Sequence, residues 1–367
     1  MRFQLILILI TWLFAQCAIK EKPSDFTEEI DKMFSSEFKP GEPGACVLVL
    51  KGNSTLFLKS YGLADLVTNE PISSKTLFNI GSISKPFVAY GILILRDEGK
   101  LSLDDPIGNH FPDFKNKNIA TAVTIRHLLT HTSGLPDIRK VREDSVFYLT
   151  AKDGENWAPI MQADSLLFNP GEQYEYSNPA FNALALIIEQ VSKMKWQKFI
   201  EERIYKPAGM VSSTITDGPH PETGVSHGYI NVKGKWVEKD YGEEPTFAAS
   251  GNGGVWSSVD ELILFEQAMK KALFIAPETI TESRQVFSPP NWKGDHEPFM
   301  ATSWFIEATK AGNKIVAHTG TQGGFYCHYV SVPDKEVLYV VLANRPYNRD
   351  SDYEKVFSVL RKYGFVE

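Results

Sequence analysis

Three Ser-x-x-Lys pairs place a hydroxyl and an amine about one helical turn apart. They are Ser36/Lys39, Ser82/Lys85 and Ser192/Lys195. On a helix this spacing brings both side chains to one face, where the amine can remove the hydroxyl proton and make the serine a nucleophile. Because the pattern occurs three times, the sequence around each pair has to distinguish them.

The Ser82/Lys85 pair begins a mostly apolar segment, residues 83–98, which we predict to be a buried helix. A lysine in apolar surroundings has a lowered pKa, which suits a general base. The helix N-terminus also directs amide dipoles at the serine oxygen. The other two pairs lie in polar segments typical of a solvated surface. The sequence therefore favours Ser82 as the nucleophile and Lys85 as its base.

A second motif, Tyr176-Ser177-Asn178, directly precedes another predicted helix, residues 179–194. A tyrosine close to a lysine can share its proton, and an asparagine can orient both the lysine and a substrate amide. The same Tyr-x-Asn spacing occurs at Tyr229 and Asn231, within a strand-like run, where a structural role is favoured. We therefore select Tyr176 and Asn178 as candidate site residues.

A third motif, His318-Thr319-Gly320-Thr321, ends a predicted strand, residues 314–319. An exposed strand edge can lie alongside an extended substrate, and glycine permits a close backbone approach. Alone, this motif is also typical of an ordinary strand end.

Together the three motifs resemble the serine β-lactamase and penicillin-binding-protein superfamily, in which Ser-x-x-Lys and Lys-Thr-Gly are catalytic elements. The branch that is most similar contains the class C β-lactamases and D,D-peptidase-like serine hydrolases, whose middle motif is Tyr-x-Asn. The resemblance runs from about residue 40 to 345. The segments that carry it, besides the motifs, are 78–85, 125–136, 169–172, 206–210 and 253–254.

The resemblance implies a role for each motif residue. Ser82 would attack a carbonyl and form an acyl-enzyme, with Lys85 and Tyr176 acting together as general base and then general acid. Asn178 would position Lys85 and the substrate amide. The backbone amides of Ser82 and Thr321 would form the oxyanion hole, and Thr319 and Gly320 would line the substrate. The resemblance implies neither a cofactor nor a metal ion.

His127 and His131 have an i,i+4 spacing that would suit zinc on a helix. They lack the glutamate of His-Glu-x-x-His, and they fall in a segment that is structural in the family. We therefore predict a structural role for both.

His318 departs from the family pattern, because the common form has a lysine there that helps to hold a substrate carboxylate. An unperturbed histidine has a pKa near 6.5 and is mostly neutral above pH 7. We therefore expect an esterase, a D-aminoacyl peptidase or amidase, or a weak β-lactamase. We also expect activity on carboxylate substrates, relative to neutral esters, to improve as the pH falls towards 6.

The elements that position these residues predict an α/β (α+β) fold. Strand-like runs lie near both chain ends, at 45–50, 55–62, 314–319, 324–332 and 336–344, and a helix is predicted at 352–363. We predict an antiparallel sheet formed from both chain ends, flanked by helices, with an inserted and mostly helical subdomain. In a catalytic domain of residues 20–367, the α/β part would comprise 20–85 and 245–367, and the helical part 86–244.

The N-terminus and the composition restrict the cellular context. Residues 1–17 contain one cation and then a short apolar stretch, which is typical of a secretory signal peptide. Cys17 resembles a lipoprotein acceptor cysteine, so a membrane tether and free secretion both stay open. We expect an exported protein of the bacterial periplasm or cell envelope. The net charge of −7, without a basic block, disfavours binding of nucleic acid. We expect a small-molecule, peptide or ester substrate, and cell-wall material is one source of such substrates.

The remaining candidates favour structural roles. Cys46 and Cys327 are expected to be buried free thiols, because three cysteines in all make no disulfide framework. Aromatic residues in the loops 137–165 and 215–248 are expected to be core rather than substrate contacts. These aromatic residues are Trp157, Tyr229, Trp236 and Tyr241.

Two alternatives stay open. A penicillin-binding receptor or scaffold would keep the fold and turn over poorly. An α/β-hydrolase would use Ser226 of Gly224-Val225-Ser226-His227-Gly228, although no apolar strand precedes that motif and no helix follows it, as a nucleophile elbow requires.

Overall fold

The computed structural model describes residues 24–139, 143, 151–152, 154–216, 220–221, 223–239 and 249–367. The expected signal peptide, Cys17 and Tyr241 lie outside the described residues. The helices are α1 Ser24–Glu37, α2 Ser84–Asp97, α3 Lys117–Ala122, α4 Ile125–Leu129, α5 Gly154–Trp157, α6 Asn178–Ser192, α7 Trp196–Ile200, α8 Lys206–Ala208, α9 Val259–Lys270, α10 Pro277–Ser283 and α11 Arg349–Lys362. The strands are β1 Ala45–Lys51, β2 Ser54–Tyr61, β3 Leu63–Asp65, β4 Glu70–Pro71, β5 Phe78–Asn79, β6 Thr214–Ile215, β7 Tyr229–Val232, β8 Lys235–Glu238, β9 Val255–Ser257, β10 Phe305–Ala308, β11 Lys314–Gln322, β12 Phe325–Val332 and β13 Val337–Ala343.

The main sheet of the described chain has six antiparallel strands in the order β10-β11-β12-β13-β1-β2. Strands from the two chain ends meet at its centre, where Ala45 pairs with Ala343 and Lys51 pairs with Val337. The predicted antiparallel sheet formed from both chain ends is therefore confirmed. Strand β11 extends three residues further than predicted, to Gln322.

Both faces of the sheet are covered, which explains why β1 and β13 read as unbroken apolar runs rather than as alternating patterns. On the outer face, α1 and α11 pack over Val47, Val49 and Tyr339. On the inner face, Leu48 and Leu342 pack against the helical part of the chain. One buried cluster on this inner side includes residues of the sheet and of α2 and α6, so the helical insertion shares a core with the sheet.

Helix α2 runs through the centre of that core, and every residue from Ser84 to Leu95 is buried. It packs against α6 and α7. The approach to α6 is close at Gly91, where a Cβ atom would lie 2.8 Å from Ile188 Cδ1. The predicted division at residues 85/86 and 244/245 stays a prediction, while short strand β6 of the inserted segment pairs with β9 of the C-terminal part.

Cys46 and Cys327 are buried and free, as predicted. In the described part of the chain, no helix is long and apolar enough to cross a membrane.

Candidate active site

Ser82 lies in a 3-10 turn, Gly81–Ile83, that leads directly into α2. The turn is held on both sides. Asn79 Oδ1 accepts a hydrogen bond from the Gly81 amide at 3.0 Å. The Ser84 hydroxyl donates to Gly81 O at 2.6 Å and accepts from the Val255 amide at 3.1 Å. Ser82 is only half-buried, so its hydroxyl stands at the accessible end of an otherwise buried helix.

Lys85 is fully buried one turn further along α2. Its Nζ lies 2.9 Å from Ser82 Oγ and donates to the Asn252 carbonyl at 2.8 Å. Burial, with a smaller contribution from the charge of Arg139, holds the pKa of Lys85 well below its ordinary value of 10.5. A neutral amine in hydrogen-bond contact with a serine hydroxyl can accept the hydroxyl proton.

Tyr176 lies on the other side of the amine, with the centre of its ring 4.9 Å from Lys85 Nζ. Burial raises its pKa to about 12, and a hydrogen bond with Ser82 offsets part of the rise. Tyr176 is therefore a neutral phenol near neutral pH, able to donate a proton. A lowered pKa suits Lys85 to accept a proton, and a raised pKa suits Tyr176 to hold one.

The imidazole of His131 packs against the ring of Tyr176. The two rings stack with centroids 4.5 Å apart, and His131 Nδ1 accepts a hydrogen bond from the Ser177 amide at 3.0 Å. His131 is fully buried, and this burial holds its pKa well below 6.5, so the imidazole is neutral.

The structural role predicted for His127 and His131 agrees with these contacts. Helix α4 ends at Leu129, so the two residues do not share a helix, and His127 Nδ1 accepts a hydrogen bond from the amide of Thr124, the residue that caps α4. The described residues contain no group of three or more His, Cys, Asp or Glu side chains that could hold a metal ion.

Asn178 is the first residue of α6, and its side chain lines the cleft in front of Ser82. The resemblance implied that Asn178 would position Lys85. Among the described residues, however, the hydrogen-bond partners of Lys85 are Ser82 and the backbone carbonyl of Asn252. The backbone carbonyl of Asn252 therefore positions Lys85, whereas Asn178 lines the cleft, where it can contact a substrate.

The Asn252 loop is held by Asn182, one turn beyond Asn178 on α6 and 1% exposed. Asn182 Nδ2 donates to Asn252 Oδ1 at 3.0 Å and also to the carbonyl of Ser250. The Ser250 hydroxyl donates to the same Asn252 oxygen at 2.9 Å. Sequence reasoning missed Asn182 and Asn252. Their signals are a polar residue in the apolar face of a helix and an asparagine among Gly251, Gly253 and Gly254.

Strand β11 presses its glycine against the Ser82 turn. A Cβ atom on Gly320 would lie 1.9 Å from the Ile80 carbonyl oxygen, and one on Gly81 would lie 2.7 Å from the Thr321 amide nitrogen. Gly81 also has φ +54°, a conformation that favours glycine. This close approach brings the backbone of Ser82 beside that of Thr321, as an oxyanion hole built from their two amides requires.

His318 is 1% exposed, and its Nδ1 lies 2.7 Å from the Thr319 carbonyl oxygen. Burial lowers its pKa to about 3. The expected titration of this residue between pH 6 and 8 is therefore revised, because the imidazole stays neutral throughout that range. A rise towards pH 6 in the activity on carboxylate substrates, relative to neutral esters, is therefore no longer expected.

Arg349, at the start of α11, was missed because no sequence motif contains it. Its Nη1 donates to the carbonyl of Gly320 and to the Thr321 hydroxyl, both at 3.3 Å. A guanidinium from the C-terminal helix therefore stands beside Gly320 and Thr321 of β11.

The residues around Ser82 form a cleft of about 360 Å3. Besides Ser82, Asn178 and Asn252, it is lined by Thr321, Tyr326, Ile230 and Lys239, among others. Trp157 and Tyr229 are buried, as expected for core residues, whereas Trp236 is half-buried beneath the guanidinium of Arg345.

The competing serines do not have this arrangement. Ser226 is fully buried, and its hydroxyl donates to the Ala64 carbonyl at 3.2 Å. Strand β7 follows it where a nucleophile elbow requires a helix. The Ser36 hydroxyl donates to the Met33 carbonyl at 2.7 Å, and that of Ser192 donates to the Met194 carbonyl at 3.4 Å. Ser82 is thus the serine with a buried lysine beside it.

A family model for beta-lactamases matches residues 28–361. The chain belongs to the beta-lactamase family. It is 29% identical over 327 residues to penicillin-binding protein 4* of Bacillus subtilis, covering 84% of this chain and 69% of that protein. It is 28% identical over 326 residues to protein flp of Staphylococcus aureus, covering 88% of this chain and 64% of that protein, slightly less than two thirds of its length.

Solved structures of beta-lactamase relatives share the fold. The octameric penicillin-binding protein homologue from Pyrococcus abyssi is 25% identical, with a TM-score of 0.76 over 93% of this chain and 76% of that chain. The D-amino acid amidase from Ochrobactrum anthropi is 20% identical, with a TM-score of 0.75 over 93% of this chain and 99% of that chain. The chain is therefore a serine hydrolase homologue with the α/β architecture of this family.

Proposed function

We propose that the chain hydrolyses an ester or amide bond through an acyl-enzyme on Ser82. The observation that carries the proposal is the 2.9 Å separation of Lys85 Nζ and Ser82 Oγ, with the lysine fully buried and its pKa well below the ordinary value. That pair supplies a nucleophile and a base without a third group between them.

In the first half-reaction Lys85 Nζ takes the hydroxyl proton of Ser82 as Oγ bonds to the substrate carbonyl carbon. The amides of Ser82 and Thr321 hold the resulting oxyanion, and loss of one such donor typically costs ~2.7–4 kcal/mol. The leaving group departs with a proton from the Tyr176 hydroxyl. Tyr176 recovers a proton from the Lys85 ammonium, which returns the amine to its neutral form.

In the second half-reaction a water molecule attacks the acyl carbonyl. Lys85 accepts a proton from the water, and the proton returns to Ser82 Oγ as the acyl bond breaks. Both half-reactions therefore use the same base, and the second delivers a carboxylic acid.

The uncharged side chain at position 318 favours a substrate that carries no carboxylate beside β11. A neutral, buried imidazole stands where the family commonly has a lysine, so this position offers no charge to a carboxylate. Position 318 therefore favours neutral esters and aminoacyl amides over β-lactams and over peptides that end in a free carboxylate, whereas Arg349 and Lys239 are the cations that stand nearest to hold such a carboxylate.

A fluorophosphonate label, which reacts with activated serines, tests the nucleophile. Intact-mass measurement is expected to show one adduct on the wild type and on Ser226→Ala, and none on Ser82→Ala. Labelling that persists in Ser82→Ala would contradict the assignment.

A substrate panel tests turnover, using an ester, a D-aminoacyl amide and a β-lactam with the same mass readout. We expect a transient adduct and released product from the ester or the amide. A permanent adduct would indicate the penicillin-binding receptor instead, and no adduct from any of the three would indicate a scaffold.

We also propose that the protein is exported to the bacterial cell envelope, on the sequence of residues 1–17 alone. Expression of the full chain in a bacterium, followed by fractionation and mass measurement of the mature N-terminus, tests this. A fatty-acylated Cys17 supports a tether and cleavage without acylation supports free secretion. An intact Met1 in the cytoplasmic fraction would contradict export.

A further inference from the structure

The β7–β8 hairpin forms one wall of the cleft in front of Ser82. Ile230 of β7 lines the cleft, and so does Lys239, the residue that follows β8. The Lys239 amide donates to the Gly228 carbonyl at 2.7 Å, so the antiparallel pairing of the hairpin continues to its base. The residues that act on the reacting bond all come from other elements.

The base of the hairpin is fixed against the turn between β11 and β12, which also lines the cleft. A Cβ atom on Gly228 would lie 2.2 Å from the Gly323 carbonyl oxygen, and one on Gly324 would lie 2.6 Å from the Tyr229 amide nitrogen. The Tyr229 amide donates to the carbonyl of Asn344 at 2.8 Å. Backbone contacts therefore hold this wall close to β11.

The register of the hairpin divides its side chains between two faces. Tyr229 and Trp236 belong to one face, because Trp236 pairs with the residue two positions after Tyr229. This face packs onto the rest of the protein. Tyr229 is buried, its hydroxyl accepts from the Leu66 amide at 3.0 Å, and the Trp236 ring lies 5.1 Å from the guanidinium of Arg345.

The second face of the hairpin carries an aliphatic patch, formed by Ile230, Val232 and Val237. Ile230 pairs with Val237, so their side chains lie side by side, and Val232 follows two residues after Ile230. Lys239 stands on the same face, two residues after Val237. Because Ile230 and Lys239 both line the cleft, this is the face turned towards it. Val232 and Val237, 44% and 46% exposed, continue the apolar wall outward from Ile230.

The aliphatic patch suits a hydrocarbon chain. Its side chains hold neither a donor nor an acceptor, so a polar ligand would lose contacts with water there without gaining hydrogen bonds. A hydrocarbon chain laid along the patch removes apolar surface of both partners from water. Lys235 and Lys239, both exposed, bound the patch at its two ends, and the methylene stems of such side chains can extend an apolar surface.

We propose that the aliphatic patch binds an unbranched hydrocarbon chain of the substrate, which runs from the reacting carbonyl past Ile230 to Val237 and Val232. The inference rests on the function proposed for Ser82 and narrows it to esters or amides that carry such a chain. The chain belongs either to the acyl group or to the leaving group.

Two isomeric esters, each compared with ethyl acetate, test the proposal. Ethyl hexanoate carries the longer chain on its acyl group, and hexyl acetate carries it on its leaving group. We expect the kcat/KM of the wild type to be roughly tenfold or more higher for one isomer than for ethyl acetate, as burial of a few methylene groups predicts. The isomer that gains shows which part of the substrate carries the chain.

The double variant Val232→Thr, Val237→Thr keeps the β-branched shape of both side chains and makes them polar. It should lower the ratio of the two kcat/KM values roughly fivefold or more. Val211→Thr, 89% exposed after α8, is the matched control and should keep the wild-type ratio. Thermal unfolding shows whether each variant is folded. Equal kcat/KM for all three esters in the wild type, or an unchanged ratio in the double variant, would overturn the proposal.

Binding to Ser82→Ala separates this proposal from the function proposed for Ser82. Without the nucleophile, calorimetric titration measures the affinity for each ester in the absence of hydrolysis. One isomer should bind more tightly than ethyl acetate, and adding Val232→Thr and Val237→Thr should remove most of the difference. If the wild type hydrolyses no ester, the proposed function fails and this titration still decides the inference, because equal binding of all three esters would contradict it.

Discussion

The imidazole of His131 stacks on the phenol of Tyr176, with ring centroids 4.5 Å apart and an angle of 28° between the planes. The same imidazole accepts a hydrogen bond from the amide of Ser177, the residue that caps α6. One neutral side chain therefore fixes both the ring of the proposed acid and the backbone that carries it. His131 itself has φ +56°, so its backbone is strained for a residue with a Cβ atom.

This contact predicts that His131→Ala lowers the turnover number more than it changes the Michaelis constant. Misplacing a reacting group by about 1 Å can cost roughly 100-fold in rate. His131→Phe keeps the stacking surface and loses only the hydrogen bond to Ser177, so its loss should be smaller. Steady-state kinetics on both variants, with circular dichroism to confirm folding, checks the order. Equal losses in both variants would show that stacking is unimportant.

Lys85→Met is predicted to abolish acylation without unfolding the protein. The substitution removes the base, and positioned bases typically contribute about 100- to 10,000-fold. Methionine has a similar length and needs no partner in this fully buried position. The measurement is the rate of adduct formation by intact mass together with the thermal midpoint. Lys39→Met, in the Ser36 pair on the surface, is the matched control and should label at the wild-type rate.

The pH dependence of acylation should reflect the pKa values of Lys85 and Tyr176. Acylation needs the neutral amine, so its rate rises with pH through the pKa of Lys85, which burial places well below 10.5. The phenol stays protonated until about pH 12, so no fall is expected at moderately alkaline pH. Single-turnover rates from acid to alkaline pH test this. A rate that rises only near pH 10.5 would contradict a lowered pKa of Lys85.

Asn182→Ala is predicted to shift the pH at which the acylation rate rises. Asn182 holds the loop whose Asn252 carbonyl accepts the Lys85 hydrogen bond, so its loss loosens the amine and changes the pKa of Lys85. If Asn182 had a purely structural role, its replacement would lower stability and leave that pH unchanged. The control is Asn231→Ala in the β7–β8 hairpin, where the side chain accepts from the Gly234 amide.

The ratio of activity on a carboxylate ester to that on its neutral counterpart is predicted to stay flat from pH 6 to 8. The pKa of His318 is lowered to about 3, so the imidazole would gain a proton only below that value. The base Lys85 titrates equally for both substrates and cancels in the ratio. His318→Gln, which is neutral at every pH, should give the same flat ratio. A ratio that rises towards pH 6 in the wild type alone would show that His318 titrates there.

Gly320→Ala is predicted to eliminate labelling of Ser82. The new methyl group would lie 1.9 Å from the Ile80 carbonyl oxygen, and a backbone atom has little freedom to move away. Strand β11 must then separate from the Ser82 turn and take the Thr321 amide with it. Gly154→Ala, where a Cβ atom meets nothing within 4 Å, is the matched control. Normal labelling in Gly320→Ala would contradict an oxyanion hole at this junction.

The sequence by itself determined the elements and the candidates. Apolar patterns located α2, α6 and five of the six strands of the main sheet, all but β10, because burial leaves a repeating or continuous apolar pattern. Spacing along a helix selected Ser82 and Lys85, because it fixes which side chains are neighbours, and the resemblance to the family added Tyr176 and the His318 strand. Contacts between residues that are close in sequence can be inferred from one amino-acid sequence.

Only the tertiary structure decided which groups surround Lys85 and in which charge state they stand. The Asn252 carbonyl, the ring of His131 and the guanidinium of Arg349 reach the site from segments 46 to 264 residues away from Lys85 in sequence. Nothing in the spacing of a motif encodes such contacts. The burial of His318 likewise comes from neighbouring strands and helices, and it is this desolvation that keeps the imidazole neutral, where the isolated side chain would titrate near pH 6.5.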